Sequence, residues 1–290
     1  MKVVLLGTGT PNAEPWANGA GYGVIVNGKL YVVDAGPGIV RACTGLFYRG
    51  VEETRPQNLR LVFLTHLHSD HTLGLPDLLL TPWVLERKPP VTVYGPEGTD
   101  SMVRHILAAY ESDTGFRSGG PEPTSPDGLD IHVRKVAEGT VFQDEDVKVS
   151  AFRTEHGTLE SFGYVFEAEG KKVVFSGDTC PLDKMKIIAE NADLLIHEAE
   201  YTAGLQERTP EWQNYHRKTH TMSVDLADII ETARPKKTVT THRILHLSYF
   251  EDKPVDMAEI HRREELLLDE IRGRTDCEVV NGHDLDVFEI

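Results

Sequence analysis

The sequence contains little cysteine, a deficit of positive charge and no long apolar run. Three widely spaced cysteines in 290 residues argue against a disulfide framework and a cysteine-based zinc site, and they favour a reducing cytoplasm. Lysine and arginine number 30 against 46 aspartates and glutamates, a formal net charge of −16. Such a surface repels polyanions, so nucleic-acid binding is not expected. No apolar stretch reaches the ~18 residues that cross a membrane, so we expect no membrane partner.

Short β-branched runs separated by turn residues fill much of the chain. Asn27-Gly28 lies between two such runs and predicts a hairpin, and Gly170 predicts a second one. Helical periodicity is predicted at Gly98–Tyr110, Asp183–Asn191, Ser223–Thr232 and Pro254–Arg272. This pattern favours an α/β protein with two sheets packed face to face and helices outside. Pro11–Gly21 and the Gly- and Pro-rich stretch Ser112–Asp130 are predicted to be loops.

A dense group of metal-ligand side chains follows the predicted buried strand Leu61–Leu64. It reads Thr65-His66-Leu67-His68-Ser69-Asp70-His71, which places four ligand-type residues within six positions. Imidazoles and carboxylates are usual ligands for zinc and related divalent metals. A turn here would let His66 and His68 share one metal while Asp70 and His71 face a second. No structural need produces this spacing, so we interpret it as a metal site.

Two metal sites need more ligands than this segment supplies, and three downstream residues are candidates. His156, Asp178 and His242 each follow a predicted strand, which is where loops build sites on a rigid sheet. Alone, each would be an ordinary turn or capping residue. His246 lies one helical turn beyond His242 and could take its place.

This order of residues resembles the ligand set of the metallo-β-lactamase superfamily, and within it ribonuclease Z. Segments that carry the resemblance are Leu6–Pro11, Asp34–Gly36, Phe63–His71, Phe175–Thr179, Ile196–Ala199 and His220–Ser223. The resemblance implies one αββα four-layer sandwich domain over residues 1–290. It also implies two divalent ions, zinc first, with manganese or iron as alternatives. One ion would take His66, His68 and His156, the other Asp70, His71 and His242, and Asp178 would bridge them.

The same resemblance suggests catalytic roles for Asp70, for His220 as a proton donor, and for Glu198 as its partner. Asp34 is expected to brace the ligand loops, and His197 to be a core or bracing histidine. The five histidines at 105, 132, 216, 261 and 283 belong to no constellation in the sequence. The sequence departs from ribonuclease Z at one point. The arm that grips tRNA is usually inserted between the positions of His156 and Asp178, and here only a hairpin's length separates them.

We therefore expect a hydrolase that cleaves an anionic ester, first of all a small phosphodiester, through a hydroxide that bridges two metals. True tRNA 3′ processing is the main alternative, and phosphotriesters, sulfate esters, lactones and β-lactams stay open because fold does not choose among them. A mononuclear iron dioxygenase and a catalytically dead interaction protein are weaker alternatives, since no ligand is missing. A small-molecule substrate and a cytoplasmic location are expected, and a homodimer stays open.

Overall fold

The computed structural model describes residues 1–120, 122, 124–247 and 255–290. Two structural units divide the chain: the first comprises Met1–Val147 and His283–Ile290, the second Lys148–Gly282. The strands are β1 (Lys2–Gly7), β2 (Gly21–Val26), β3 (Lys29–Val33), β4 (Leu61–Phe63), β5 (Val91–Gly95), β6 (Ile131–Lys135), β7 (Gly139–Gln143), β8 (Lys148–Arg153), β9 (Phe162–Ala168), β10 (Lys171–Phe175), β11 (Leu194–Glu200), β12 (Thr238–Ile244), β13 (Val279–Asn281) and β14 (Val287–Glu289). The helices are α1 (Ile39–Tyr48), α2 (Ser69–Thr72), α3 (Leu75–Val84), α4 (Thr99–Ala109), α5 (Glu111–Gly119), α6 (Asp183–Ile188), α7 (Thr202–Leu205), α8 (Pro210–His216), α9 (Ser223–Ala233) and α10 (Met257–Arg272).

In the first unit a mixed sheet has the order β14-β1-β2-β3-β4-β5-β6. The predicted hairpin at Asn27-Gly28 is confirmed: Val26 pairs with Lys29, and both turn residues have positive φ angles, 46° and 78°. Such a turn matches the twist of the strands that it joins. Strands β3 to β6 are parallel, so their carboxyl ends lie at one edge of the sheet. Apolar residues of α1 and α3 pack on this sheet in one buried core.

In the second unit six strands follow the order β13-β12-β11-β10-β9-β8. The hairpin predicted at Gly170 joins β9 and β10, which are antiparallel, with Ala168 opposite Lys171. Strands β10 to β13 are parallel, so this sheet also collects several carboxyl ends at one edge. That edge is where ligands bind in open α/β sheets.

The loop predicted at Ser112–Asp130 is wrong in its first part, because α5 runs through Glu111–Gly119. Acidic residues at the start of α5 and Arg117 near its end suit the helix dipole, and Asp113 pairs with Arg117 at a distance of 3.0 Å. The predicted helix at 254–272 begins at Met257, and its position 254 lies outside the described residues. Within the described ranges, no helix is long and apolar enough to cross a membrane.

Candidate metal centre

The first unit holds the first donor set, which consists of His66, His68, Asp70 and His71. The chain leaves β4 after Phe63 and turns into α2, whose first residue is Ser69. This short path brings all four side chains together. His66 Nε2 lies 3.0 Å from His68 Nδ1, His71 Nε2 lies 3.4 Å from Asp70 Oδ2, and the His66 and His71 rings are 4.1 Å apart. Nitrogen and oxygen atoms at these separations can reach a metal ion together.

Asp34 braces the first donor set, as predicted. It follows β3, the strand next to β4, and it is fully buried. Its carboxylate accepts hydrogen bonds from the Thr65 backbone N–H (2.8 Å) and the Thr65 hydroxyl (2.8 Å), and it lies 2.8 Å from His71 Nδ1. A carboxylate accepts only from a protonated ring nitrogen. His71 therefore carries its proton on Nδ1 and directs Nε2 towards Asp70, the arrangement common in metal-binding histidines.

The second unit holds the second donor set, which consists of His156, Asp178 and His242. Asp178 Oδ2 lies 3.5 Å from His242 Nε2 and 3.9 Å from His156 Nε2, and all three residues are at least 97 % buried. His156 Nδ1 lies 2.7 Å from the Thr219 carbonyl oxygen, which can only accept. His156 therefore presents an unprotonated Nε2 to Asp178, as a metal ligand must.

A β-bulge positions His242. The sequence predicted that this residue follows a strand, but the structure places it inside β12. In the pairing of β11 with β12, Glu198 is opposite Thr241 and Ala199 is opposite Arg243, so His242 is the extra residue. Its φ of 43° is unusual for a residue with a side chain. Bulges of this kind redirect a side chain out of the regular strand pattern, and here the imidazole faces Asp178.

Glu198 and His220 form a close pair beside the second donor set. Glu198 Oε2 lies 2.7 Å from His220 Nδ1, and Glu198 Oε1 accepts a hydrogen bond of 2.6 Å from the Thr179 backbone N–H. The His220 ring centroid lies 4.9 Å from that of His156 and 5.9 Å from that of His242. Asp178, His220 and His242 each offer a polar atom within 4.8 Å of the others. His220 therefore lies among the candidate ligands.

Burial controls the charge of this group. It lowers the pKa of His156, an effect that the nearby Asp178 carboxylate only partly opposes. Burial also raises the pKa of Glu198 well above its ordinary value, and the charge of Asp178 adds to that shift. A neutral imidazole beside crowded carboxylates is donor chemistry that suits a divalent cation, because the cation removes the carboxylate repulsion. Within each unit the donors therefore fit a metal.

Each unit brings its own predicted donors together, and His242 rather than His246 lies beside Asp178. The second unit also holds a grouping of side chains that no sequence motif predicts. A Glu200 carboxylate oxygen lies 3.2 Å from His216 Nδ1 and another lies 2.7 Å from His246 Nε2, whereas the sequence places His216 in no constellation. These three residues come from separate segments, so no local motif shows them. The sequence feature that could have indicated this grouping is His246, a second histidine shortly after His242.

Known proteins resemble this chain in sequence and in structure. A family model described as a β-lactamase superfamily domain matches residues 30–243. Ribonuclease Z of Mycobacterium sp. (strain KMS) is 32 % identical over 252 residues, which cover 83 % of this chain and 84 % of that protein. The metallo-β-lactamase fold protein YhfI of Bacillus subtilis is similar with a TM-score of 0.71 at 17 % identity, over 99 % of this chain and 98 % of that one. The short form of human tRNase Z has a TM-score of 0.70 at 24 % identity, over 100 % and 99 % of the two chains.

Proposed function

Because the chain belongs to the metallo-β-lactamase superfamily and is a metal-dependent hydrolase, we propose that it cleaves a phosphodiester with the help of two divalent metal ions. The predicted metallo-β-lactamase fold is confirmed by the same comparisons. The observation that carries the proposal is the Glu198–His220 pair, which lies against Asp178, His156 and His242. It would supply a proton donor beside metal-binding side chains, and a metal-dependent hydrolase can use both to cleave an ester with a poor leaving group.

In this proposal both donor sets hold metal. His66, His68 and His156 would hold one ion, Asp70, His71 and His242 would hold the other, and Asp178 would serve both. Two bound divalent ions would lower the pKa of a water and supply positive charge to the phosphoryl oxygens. Zinc suits these nitrogen and oxygen donors first, and manganese and iron(II) are the alternatives.

The side chains around the metals have separate tasks. His220 donates a proton to the leaving oxygen, since imidazole titrates near neutral pH. Glu198 holds His220 by its Nδ1 and is itself held by the Thr179 N–H, so Nε2 is the atom that faces the substrate. Asp70 would serve both as a metal ligand and as a catalytic carboxylate.

The phosphodiester substrate class rests on the relatives, whose names describe ribonucleases. We propose a small phosphodiester rather than tRNA for two reasons. Residues 157–177, where an arm could be inserted, form only the β9–β10 hairpin. The net charge of −16 also disfavours a polyanionic partner. Cleavage of tRNA is the second candidate, and the 32 % identity to ribonuclease Z over 83 % of the chain favours it.

A substrate panel tests the reaction class. Chromogenic phosphodiesters, phosphotriesters, sulfate esters, lactones and cephalosporins would be assayed with metal-free protein reloaded with zinc, manganese or iron(II). We expect the highest kcat/KM for a phosphodiester, and no activity after chelation. A higher kcat/KM for any other class would contradict the substrate proposal while leaving the metal-dependent mechanism in place.

A binding titration separates the two phosphodiester candidates. Labelled precursor tRNA would be titrated with the protein at about 150 mM salt, where few phosphate contacts give weak binding. We expect micromolar or weaker affinity and no 3′ cleavage. Nanomolar binding with cleavage at the 3′ end would establish tRNA processing instead.

A further inference from the structure

We propose that Glu200, His216 and His246 form a binding site for one additional divalent cation, which we call the accessory site. Glu200 Oε2 lies 3.2 Å from His216 Nδ1, and Glu200 Oε1 lies 2.7 Å from His246 Nε2. The two imidazole rings are 5.2 Å apart. One potential ligand atom from each residue lies within 4.8 Å of the other two. Two imidazoles and one carboxylate are a common donor set for zinc, manganese and iron(II).

Three separate segments converge to build the accessory site. Glu200 is the last residue of β11, His216 is the last residue of α8, and His246 follows β12. Hydrogen bonds hold the backbone around Glu200: its N–H donates to the Thr221 carbonyl (2.9 Å), and the Tyr201 N–H donates to the Ile244 carbonyl (3.0 Å). The tertiary fold therefore brings these three residues together, since they are not neighbours in the sequence.

The backbone at His246 is held in a strained conformation that aims its ring at Glu200. Its φ is 56°, a region costly for a residue with a side chain. Arg263 of α10 donates hydrogen bonds to the carbonyls of Leu245 (3.0 Å) and His246 (2.9 Å). Gly204 packs closely against this region. A Cβ at this position would lie 2.6 Å from the Tyr201 ring and 3.3 Å from His246 Cδ2, so a larger residue would not fit without a shift. Strain of this kind is retained where the surrounding structure requires it, often at functional sites.

The charge of the accessory site favours a cation. Glu200 is fully buried. Within the described part of the chain, no lysine or arginine forms an ion pair with Glu200. The Glu200 carboxylate therefore lies between two imidazoles, and a divalent cation held by the three residues would balance its charge.

A cation here would act on the proposed proton donor. The backbone N–H of His220 donates a hydrogen bond to the backbone carbonyl of His216 at 2.8 Å. The centroids of the two imidazole rings are 5.7 Å apart. An ion held by His216 would thus anchor the turn that carries His220. The alternative is that no cation binds. A proton shared between Glu200 and one of the two imidazoles would then hold the three side chains together.

Metal content tests the accessory site directly. Wild-type protein would be stripped with a chelator, reloaded with zinc, dialysed and analysed by mass spectrometry, alongside His216→Ala, His216→Gln and Asp178→Ala. The matched control is His261→Ala, which removes an exposed histidine of α10 in the same unit. We expect about three ions per chain in wild type and the control, about two in both His216 variants, and about one in Asp178→Ala. Circular dichroism would confirm that each variant is folded.

The two proposals fail in different ways. If the two-metal centre is wrong, the wild-type count falls but the difference of one ion between wild type and His216→Ala persists. If the accessory site is wrong, that difference disappears and the wild type binds only the ions that Asp178→Ala loses. Crystals of unmodified zinc-loaded protein give a check that needs no variant. Anomalous scattering should show a peak among Glu200, His216 and His246, and its absence would overturn the accessory site.

Discussion

The two units assemble their candidate metal ligands in different ways. In the first unit, all four donors lie between His66 and His71, in one turn that leaves β4 and enters α2. In the second unit, His156 follows β8, Asp178 follows β10, and His242 is the bulged residue of β12. A contiguous donor set is visible as a motif, whereas a dispersed set depends on strand order. The first donor set should therefore tolerate changes in the rest of the fold, whereas the second depends on the register of its strands.

The units also hold their histidines differently. In the first, a buried carboxylate, Asp34, orients His71. In the second, a backbone carbonyl, that of Thr219, orients His156. A carboxylate raises the basicity of a ligating imidazole more than a neutral carbonyl does. His71 should accordingly be a stronger metal ligand than His156, and substitutions can test this difference.

The largest effect is expected from Asp178→Ala. Asp178 faces both His156 and His242, and the proposal has it shared by two ions. Its loss should therefore remove both ions of the centre and reduce phosphodiesterase activity to background. His68→Ala in the first unit should remove less metal, and mass spectrometry of both variants gives the comparison. Equal losses in the two variants would show that Asp178 is an ordinary ligand of one ion.

His220→Ala should lose roughly 10²–10⁴-fold in kcat with an alkyl leaving group, the usual contribution of a general acid. With p-nitrophenolate, which departs without protonation, the loss should be far smaller. The His220→Ala protein should bind as much metal as the wild type. An equal loss for both leaving groups would remove the acid role, and a loss of metal would make His220 a ligand or a structural support.

We expect His197 to make the second unit less stable in acid. Burial lowers the pKa of this histidine to about 4, and its Nε2 has no partner among the described residues. The unfolded chain, with a pKa near 6.5, binds the proton first, so stability is lost as pH falls from about 6.5 to 4. The loss is about 3 kcal/mol.

Urea unfolding at several pH values measures this loss. His197→Asn should flatten the pH dependence, whereas the exposed His132→Asn on β6 should leave it unchanged. A pH profile of His197→Asn identical to that of wild type would mean that His197 does not cause the acid sensitivity.

Asp34→Asn should weaken zinc binding by about 10- to 100-fold, as is usual when a partner of a ligating histidine is removed. The cause is the loss of the carboxylate behind His71 Nδ1. Competition with a chromophoric chelator measures the affinity, and Asp100→Asn, at an exposed position of α4, is the matched control. Unchanged affinity would show that Thr65 and the loop backbone alone hold His71 in place.

Much of the fold could be predicted, because turn residues and strand patterns are local. The hairpins at Asn27-Gly28 and Gly170 and the helices α4, α6, α9 and α10 agree with the sequence-based expectations. The sequence predicts a loop where α5 lies, because the glycines and serines of this segment have low helix propensity, and ion pairs such as Asp113–Arg117 favour the helix instead. Helix α3 was not predicted, since a short leucine-rich run does not distinguish a helix from a buried strand. A single domain over residues 1–290 stays a prediction.

The sequence by itself determined the metal-binding character of the chain. His66, His68, Asp70 and His71 are close in the chain, so a turn after one strand suffices to gather them. Only the tertiary structure decided that His242, and not His246, faces Asp178, because a one-residue bulge in β12 chooses between them. It also decided that His216 and His246 meet Glu200. Contacts between distant segments depend on strand pairing and helix packing, which no short stretch of sequence encodes.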